Sequence, residues 1–246
     1  MTSRGLGWLS CSLADLPDDD VWLTPREQDT LSELRFASRR DDWRLGRWTA
    51  KRAVSAWLDV SSRRSTHHET VEIIAADDGA PEAFLARRAV PVAVSLSHRE
   101  RLAVCVVAPA GTAVGCDLEA VEPRSDLFVG DWFTPEERAA VDAASAGARS
   151  LLIALIWSAK ESALKALREG LRLDTRGAVV RLGPTFDHHG HDGWAPFSVI
   201  LADQRCSFAG RWRRHLGQVL TVVAPAPWRD EPIDLVQRCR PEMTSG

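Results

Sequence analysis

The sequence predicts an α+β fold made of two similar halves, a pseudo-twofold design in which each half is an antiparallel sheet packed by one long helix. Two internal echoes and their order predict it. Arg47-Trp48-Thr49-Ala50-Lys51-Arg52-Ala53-Val54-Ser55-Ala56-Trp57-Leu58 is echoed by Ile156-Trp157-Ser158-Ala159-Lys160-Glu161-Ser162-Ala163-Leu164-Lys165-Ala166-Leu167, where Trp, Ala, Lys and the final Leu coincide. Val106-Val107-Ala108-Pro109-Ala110 returns as Val222-Val223-Ala224-Pro225-Ala226. The echoes come in the same order with nearly the same offset, as a duplicated helix-then-strand unit requires. A chain of 246 residues is long enough to bury a sizeable core and form one large domain or two small ones.

The first half is expected over residues 1–109, with its long helix near Asp41 to Leu58. Strands follow near Thr70 to Ala75, Val92 to Ser97 and Leu102 to Ala108, each rich in β-branched residues. Pro109 to Gly111 reads as the hinge. The second half, 110–227, opens on a strand from Ala113 to Glu119. A short helix near Pro135 to Ala144 is announced by Thr134 as N-cap, Pro135 at the first position and Glu137 at the third. The main helix is expected from about Ser150 to Arg168, with Gly170 as its C-cap. Strands near Ala178 to Leu182, Phe197 to Ala202 and Val219 to Val223 complete this half. From Trp228 onward, alternating charge and proline suggest a loosely packed tail, 228–246.

Composition narrows the function. Hydrophobic residues make up 45% and charged residues 26%, ordinary for a soluble globular protein. A formal net charge of -3 argues against a general nucleic-acid binder, so any phosphate site must be local. Cys11, Cys105, Cys116, Cys206 and Cys239 form no CxxC pair and leave one unpaired under full pairing, which fits a reducing cytoplasm. No secretory signal or membrane span is expected: the longest uncharged stretch, Leu102 to Cys116, is broken by Pro109, Ala110 and Gly111. The loop Asp187-His188-His189-Gly190-His191-Asp192-Gly193 reads as a surface turn before a metal site, and His67-His68 as a solvated loop.

Two acidic segments carry the chemistry. In Val114-Gly115-Cys116-Asp117-Leu118-Glu119, alternation puts Asp117 and Glu119 on one face of a strand, roughly 7 Å apart at Cα. Ala113 and Gly115 share that face and leave room for something bulky, while Val114, Cys116 and Leu118 face the core. In Trp157-Ser158-Ala159-Lys160-Glu161-Ser162-Ala163-Leu164-Lys165, helical spacing stacks Lys165 one turn beyond Glu161. Taken singly, the first pair is the wet side of an edge strand and the second an exposed ion pair. Taken together, three carboxylates suit a hard divalent cation, and a neighbouring lysine suits a phosphate. On the first helix, Arg40, Arg44, Arg47 and Lys51 fall within about 60° of one another, a basic face that is either solvated or phosphate-binding. Trp48, Trp57 and Trp157 read as core.

These segments resemble the Sfp-like, single-chain 4′-phosphopantetheinyl transferases. The resemblance rests on the Arg44 to Arg52 helix, Ser95-Leu96-Ser97-His98, Gly115-Cys116-Asp117-Leu118-Glu119, and Trp157-Ser158-Ala159-Lys160-Glu161 followed by Lys165; Phe133-Thr134-Pro135-Glu136-Glu137 also fits. It implies a site in the cleft between the halves, where the phosphopantetheine arm of coenzyme A passes to a serine of an acyl or peptidyl carrier protein. Asp117, Glu119 and Glu161 would hold Mg²⁺; Arg44, Arg52, Ser97 and His98 would bind coenzyme A phosphates; Lys165 would sit near the bridging phosphate. Glu161 is the first candidate for the base that takes the serine proton, and Glu119, or a metal-bound water, the alternative. Where many relatives carry Gly-Lys-Pro, this chain has Gly79-Ala80-Pro81, so a lysine contact is missing and Arg87 or Arg88 is the nearest replacement. The region Phe128 to Ala144 is the expected carrier-docking surface. A monomer that contacts neither nucleic acid nor membrane is the simplest form. The alternative is a catalytically silent relative that binds carrier protein or coenzyme A.

Overall fold

The computed structural model describes residues 5–62, 66–168, 174–183, 193–201 and 206–238. They divide into two compact units, Met1–Gly111 with Pro232–Gly246, and Thr112–Glu231.

The first unit begins with β1 (Gly7–Ser12), then α1 (Pro25–Glu33) and the long α2 (Ala37–Ser62). Strands β2 (Val71–Ala75), β3 (Pro81–Leu85), β4 (Arg88–Ala89), β5 (Val92–Arg99) and β6 (Leu102–Pro109) follow. Helix α2 packs its Leu45, Ala50, Ala53, Val54 and Trp57 against Leu9, Cys11, Cys105 and Val107 of the sheet. The second unit runs through β7 (Gly115–Ala120), α3 (Asp126–Trp132), α4 (Pro135–Ala143) and α5 (Ala146–Ala166). Strands β8 (Ala178–Leu182), β9 (Ala195–Leu201), β10 (Ser207–His215) and β11 (Gln218–Pro225) complete it. Its core joins Leu151, Leu155 and Ala159 of α5 to Phe197, Trp212 and Val223 of the sheet. Both units are therefore antiparallel sheets covered by a long helix, as expected for the α+β class.

The topologies match over three adjacent strands, β1-β6-β5 in the first unit and β7-β11-β10 in the second. The second sheet has the order β7-β11-β10-β9-β8, and the first has β1-β6-β5 beside a separate β2-β3-β4 sheet. Register agrees as well: Leu9 pairs with Cys105 and Cys11 with Ala103, while Asp117 pairs with Thr221 and Glu119 with Val219. Both principal hairpins turn on two residues with positive φ, Glu100 (47°) with Arg101 (67°) and Leu216 (48°) with Gly217 (85°). That is the backbone hand that suits the twist of paired strands.

A buried device recurs in each unit. Thr24 caps α1 with Pro25 and Glu27 behind it, and Thr134 caps α4 with Pro135 and Glu137. Glu27 Oε2 accepts from Lys51 Nζ at 2.6 Å and Glu27 Oε1 from Ile73 N at 2.9 Å. Glu137 Oε2 lies 2.9 Å from Lys160 Nζ, and its Oε1 accepts from Val180 N at 2.8 Å. One carboxylate thus ties a short helix, a long helix and a strand together. Lys51 is fully buried, so it does not belong to the basic face on which the spacing of α2 placed it.

Beyond Trp228 the described part is ordered: β12 (Ile233–Asp234) pairs parallel with β1, and Leu235 of α6 (Leu235–Arg238) is buried. It adds a parallel edge to the first sheet and assigns this segment to the first unit, where loose packing was expected. The His188 to His191 turn, the Gly170 cap and Cys239 lie outside the described residues.

Candidate active site

In the second unit, β7 lies at the sheet edge and α5 crosses it closely. Gly115 makes the approach possible: a Cβ there would lie 1.8 Å from the Ser162 carbonyl oxygen. The room left by Gly115 is thus filled by the helix backbone itself rather than by a ligand. Small residues serve the same end on α5, where the hydroxyls of Ser158 and Ser162 sit 2.8 and 2.7 Å from Thr221 Oγ1. Thr221 is the cross-strand neighbour of Asp117. The acidic side of β7 consequently faces the helix and is almost sealed, Asp117 being 6% and Glu119 9% exposed.

Lys165 reaches from α5 to this strand, donating to Asp117 Oδ1 at 2.7 Å and to the Cys116 carbonyl at 3.1 Å. Its ion pair therefore runs to the strand rather than down its own helix to Glu161. Burial works to lower the Lys165 pKa, but the Asp117 carboxylate and its hydrogen bond outweigh it and the pKa rises. One ammonium donor is left for another oxygen.

Glu161 is half-buried, and its Oε1 is buried with no hydrogen-bond partner among the described residues. Burial, then the charge of Asp117, raise its pKa to about 7; Lys165 opposes the rise and Glu119 adds to it. Strand and helix acids are thus close enough to govern one another's ionisation. Even so, among the described residues no three His, Cys, Asp or Glu side chains already form a ligand shell. Arg124, which the sequence reading overlooked, lies 3.4 Å from Glu119 and 2.9 Å from Glu122. A lone arginine in a loop after an acidic strand gave no periodic signal.

The basic candidates of the first unit separate. Arg44 donates to Asp20 Oδ1 at 2.7 Å and to the Pro17 carbonyl at 2.9 Å, clasping an acidic loop. Arg52 donates to Cys11 Sγ at 3.5 Å and lines a cavity with Ser55 and His68. Ser97 is buried in β5 and His98 exposed, as alternation along a strand dictates. His98 lines a different cavity, of about 200 Å³, together with Arg39, Asp42, Trp43 and Arg47. The structure brings His98 together with Arg47 rather than with Arg44 or Arg52. Arg47 stacks on Trp43 at 4.7 Å, and its Nε is buried without a partner among the described residues. Burial lowers the Arg47 pKa. Arg87 and Arg88 are exposed.

The strand–helix pair of β7 and α5 brings Asp117, Glu119, Glu161 and Lys165 within electrostatic reach of one another. A family model described as the 4′-phosphopantetheinyl transferase superfamily matches residues 113–220, which begins just before β7 and ends within β11. All four residues lie inside it. No curated protein matches the chain significantly. Among solved structures, a holo-(acyl-carrier-protein) synthase from Bacillus anthracis in complex with CoA (3′,5′-ADP) is similar at 23% identity. The match covers 42% of this chain and 92% of that one, with a TM-score of 0.32. The Thermotoga maritima holo-[acyl-carrier-protein] synthase is similar at 19% identity, over 54% of this chain and 76% of that one, with a TM-score of 0.36. Among the described residues no helix is long and apolar enough to cross a membrane.

Proposed function

We propose that this chain transfers the 4′-phosphopantetheine arm of coenzyme A to a serine hydroxyl of an acyl or peptidyl carrier protein, with Mg²⁺, releasing adenosine 3′,5′-bisphosphate. The observation that carries the reading is the gathering of Asp117, Glu119, Glu161 and Lys165 on one strand–helix pair within the stretch that matches the transferase model.

Glu161 is suited to be the base. Without a cation its pKa of about 7 makes it a better proton acceptor than an ordinary carboxylate, and a cation held beside it would lower that value, which leaves Glu119 or a metal-bound water as the alternative base. The base takes the serine proton while the serine oxygen bonds to phosphorus and the bond to the bridging oxygen breaks. Lys165, held in place by Asp117 and the Cys116 carbonyl, has a donor for the departing phosphate oxygen. Arg47, with Arg39 and His98 around the same cavity, is suited to hold a phosphate of coenzyme A.

The donor set fits Mg²⁺: all oxygen, mutually repelling, with one buried carboxylate oxygen of Glu161 unpartnered among the described residues. Mg²⁺ needs only one or two protein carboxylates because it keeps much of its water. Asp117, Glu119 and Glu161 would hold it, and when bound it would neutralise charge on the pyrophosphate. Leu127 and Trp132, exposed on α3, offer an apolar contact for a carrier protein.

Incubating the protein with apo carrier protein, coenzyme A and Mg²⁺ and weighing the carrier intact tests the reading. A phosphopantetheine adduct on serine is the expected outcome. Complex formation without a change in mass would reduce the protein to a binder, and coenzyme A cleavage without a carrier would make it a hydrolase.

A further inference from the structure

Because the two units match in register, each residue of the acidic site has a counterpart in the first unit. Asp117 pairs with Thr221 and Leu9 with Cys105, which fall at the same place in the echoed strands β11 and β6. By the same rule Cys11 stands for Glu119. Along the echoed helices Arg52 stands for Glu161 and Ala56 for Lys165. The duplicated site has therefore exchanged three carboxylates and a lysine for leucine, cysteine, arginine and alanine.

A cavity of about 390 Å³ occupies this place, with Leu9, Arg52 and Ala56 all in its wall. Truncation from a lysine to Ala56 opens the space, and the exchange of Glu161 for Arg52 reverses its charge. Ser55, 6% exposed, also lines it, and its Oγ is buried with no partner among the described residues. Leu235 and Val236 supply an apolar wall.

We propose that this cavity binds a small organic anion, its oxyanion head on Arg52 and Ser55 and a short apolar stem against Leu9 and Leu235. Among the described residues no carboxylate lies within ion-pair distance of Arg52. Among the described residues its hydrogen bond goes to the Cys11 sulfur, and burial pushes that thiol's pKa up, so the sulfur supplies no countercharge; the Asp15 carboxylate acts on the guanidinium only through space, outside ion-pair distance. Asp59, also in the cavity wall, accepts from Thr66 N at 2.6 Å, and Asp15 accepts from Ser12 N at 2.7 Å, so the oxyanion head is placed on Arg52 and Ser55 rather than beside Asp59. Burial lowers the pKa of His68, whose ring packs edge-on to Trp48 at 4.8 Å. The volume lies in the range of small-molecule sites. The site is independent of the transferase reading, since its residues belong to neither the acidic cluster nor the His98 cavity.

The test is a calorimetric titration of the full chain, wild type and variants alike, with butyrate, inorganic phosphate and coenzyme A. Saturable butyrate binding is expected, at least about tenfold weaker in Arg52→Leu, since a hydrogen bond to a charged group is lost. Ala56→Phe, which fills the cavity and keeps Arg52, should weaken it comparably, so the outcome does not rest on one variant's folding. No saturation in the wild type, or equal affinity in both variants, overturns the proposal. So does a response to coenzyme A alone, which would return Arg52 to nucleotide binding, or to phosphate alone, which would remove the apolar stem.

Discussion

Lys160 Nζ lies 2.9 Å from Glu137 Oε2, and both side chains are sealed from solvent, at 0% and 3% exposure. The lysine also donates to the carbonyls of Thr175 and Ala178 at 2.9 and 2.6 Å. Since Lys160 directly precedes Glu161, the pair fixes the turn of α5 that carries the candidate base. Lowering of the Lys160 pKa by burial shows the tension: desolvation opposes the charge and Glu137 supports it.

Removing one partner strands the other in the core. Glu137→Gln or Lys160→Met is expected to cost about 3–5 kcal/mol, whereas the double replacement should cost less than the sum. Urea unfolding of the three variants checks this, and Glu27 with Lys51 should behave alike. A double replacement that costs as much as the two single changes added together would show that the pair is not coupled.

Gly115→Ala tests the helix–strand approach. Its Cβ would fall 1.8 Å from the Ser162 carbonyl oxygen, and backbone cannot rotate away as a side chain can. A loss of at least about 1–3 kcal/mol is expected, with lower turnover because α5 must move off β7. Thermal unfolding together with the transfer assay would reveal both, and an unchanged melting temperature would contradict the close packing.

Glu161 predicts a pH effect of definite sign. The unfolded carboxyl ionises near its ordinary value of 4.5, the folded one near 7, so the folded chain holds more protons between them. The contribution of Glu161 to stability is therefore expected to fall as pH rises through that window and to level off above about 7. Glu161→Gln should abolish that fall and nearly all turnover while keeping the fold. Above the window, Mg²⁺ should stabilise the wild type and not the variant. Denaturant titrations with and without Mg²⁺ decide it; parallel pH profiles for both proteins would remove the charge cluster from the account.

Arg47→Ala should weaken coenzyme A binding more than Arg44→Ala does. Arg44 is occupied with Asp20 and the carbonyls of its loop, whereas Arg47 shares a cavity with His98. Apparent affinities from calorimetry compare the two, and a larger effect at Arg44 would reverse the assignment.

Much of this architecture was legible because it is written in local periods. Alternation in β7 put Asp117 and Glu119 on one face, and the WTAK and WSAK echo marked α2 and α5 before any coordinates. Less regular signals were passed over. Strand β10 hides its alternation of Phe208, Gly210 and Trp212 among three arginines, and Thr24-Pro25-Arg26-Glu27 announces α1 with the same cap that had flagged α4.

By itself the sequence determined that a duplicated helix–strand unit carries acids in its second copy, since residue spacing sets which side chains share a face. Only the tertiary structure decided what each face meets: that helix α5 fills the room beside Gly115, that Lys51 is buried on Glu27, and that Arg44, Arg47 and Arg52 go three separate ways. The physical reason is that a helical face spans a wide arc. Partners far apart in the chain, not spacing, choose whether a cation on that arc meets solvent, a carboxylate or a cavity.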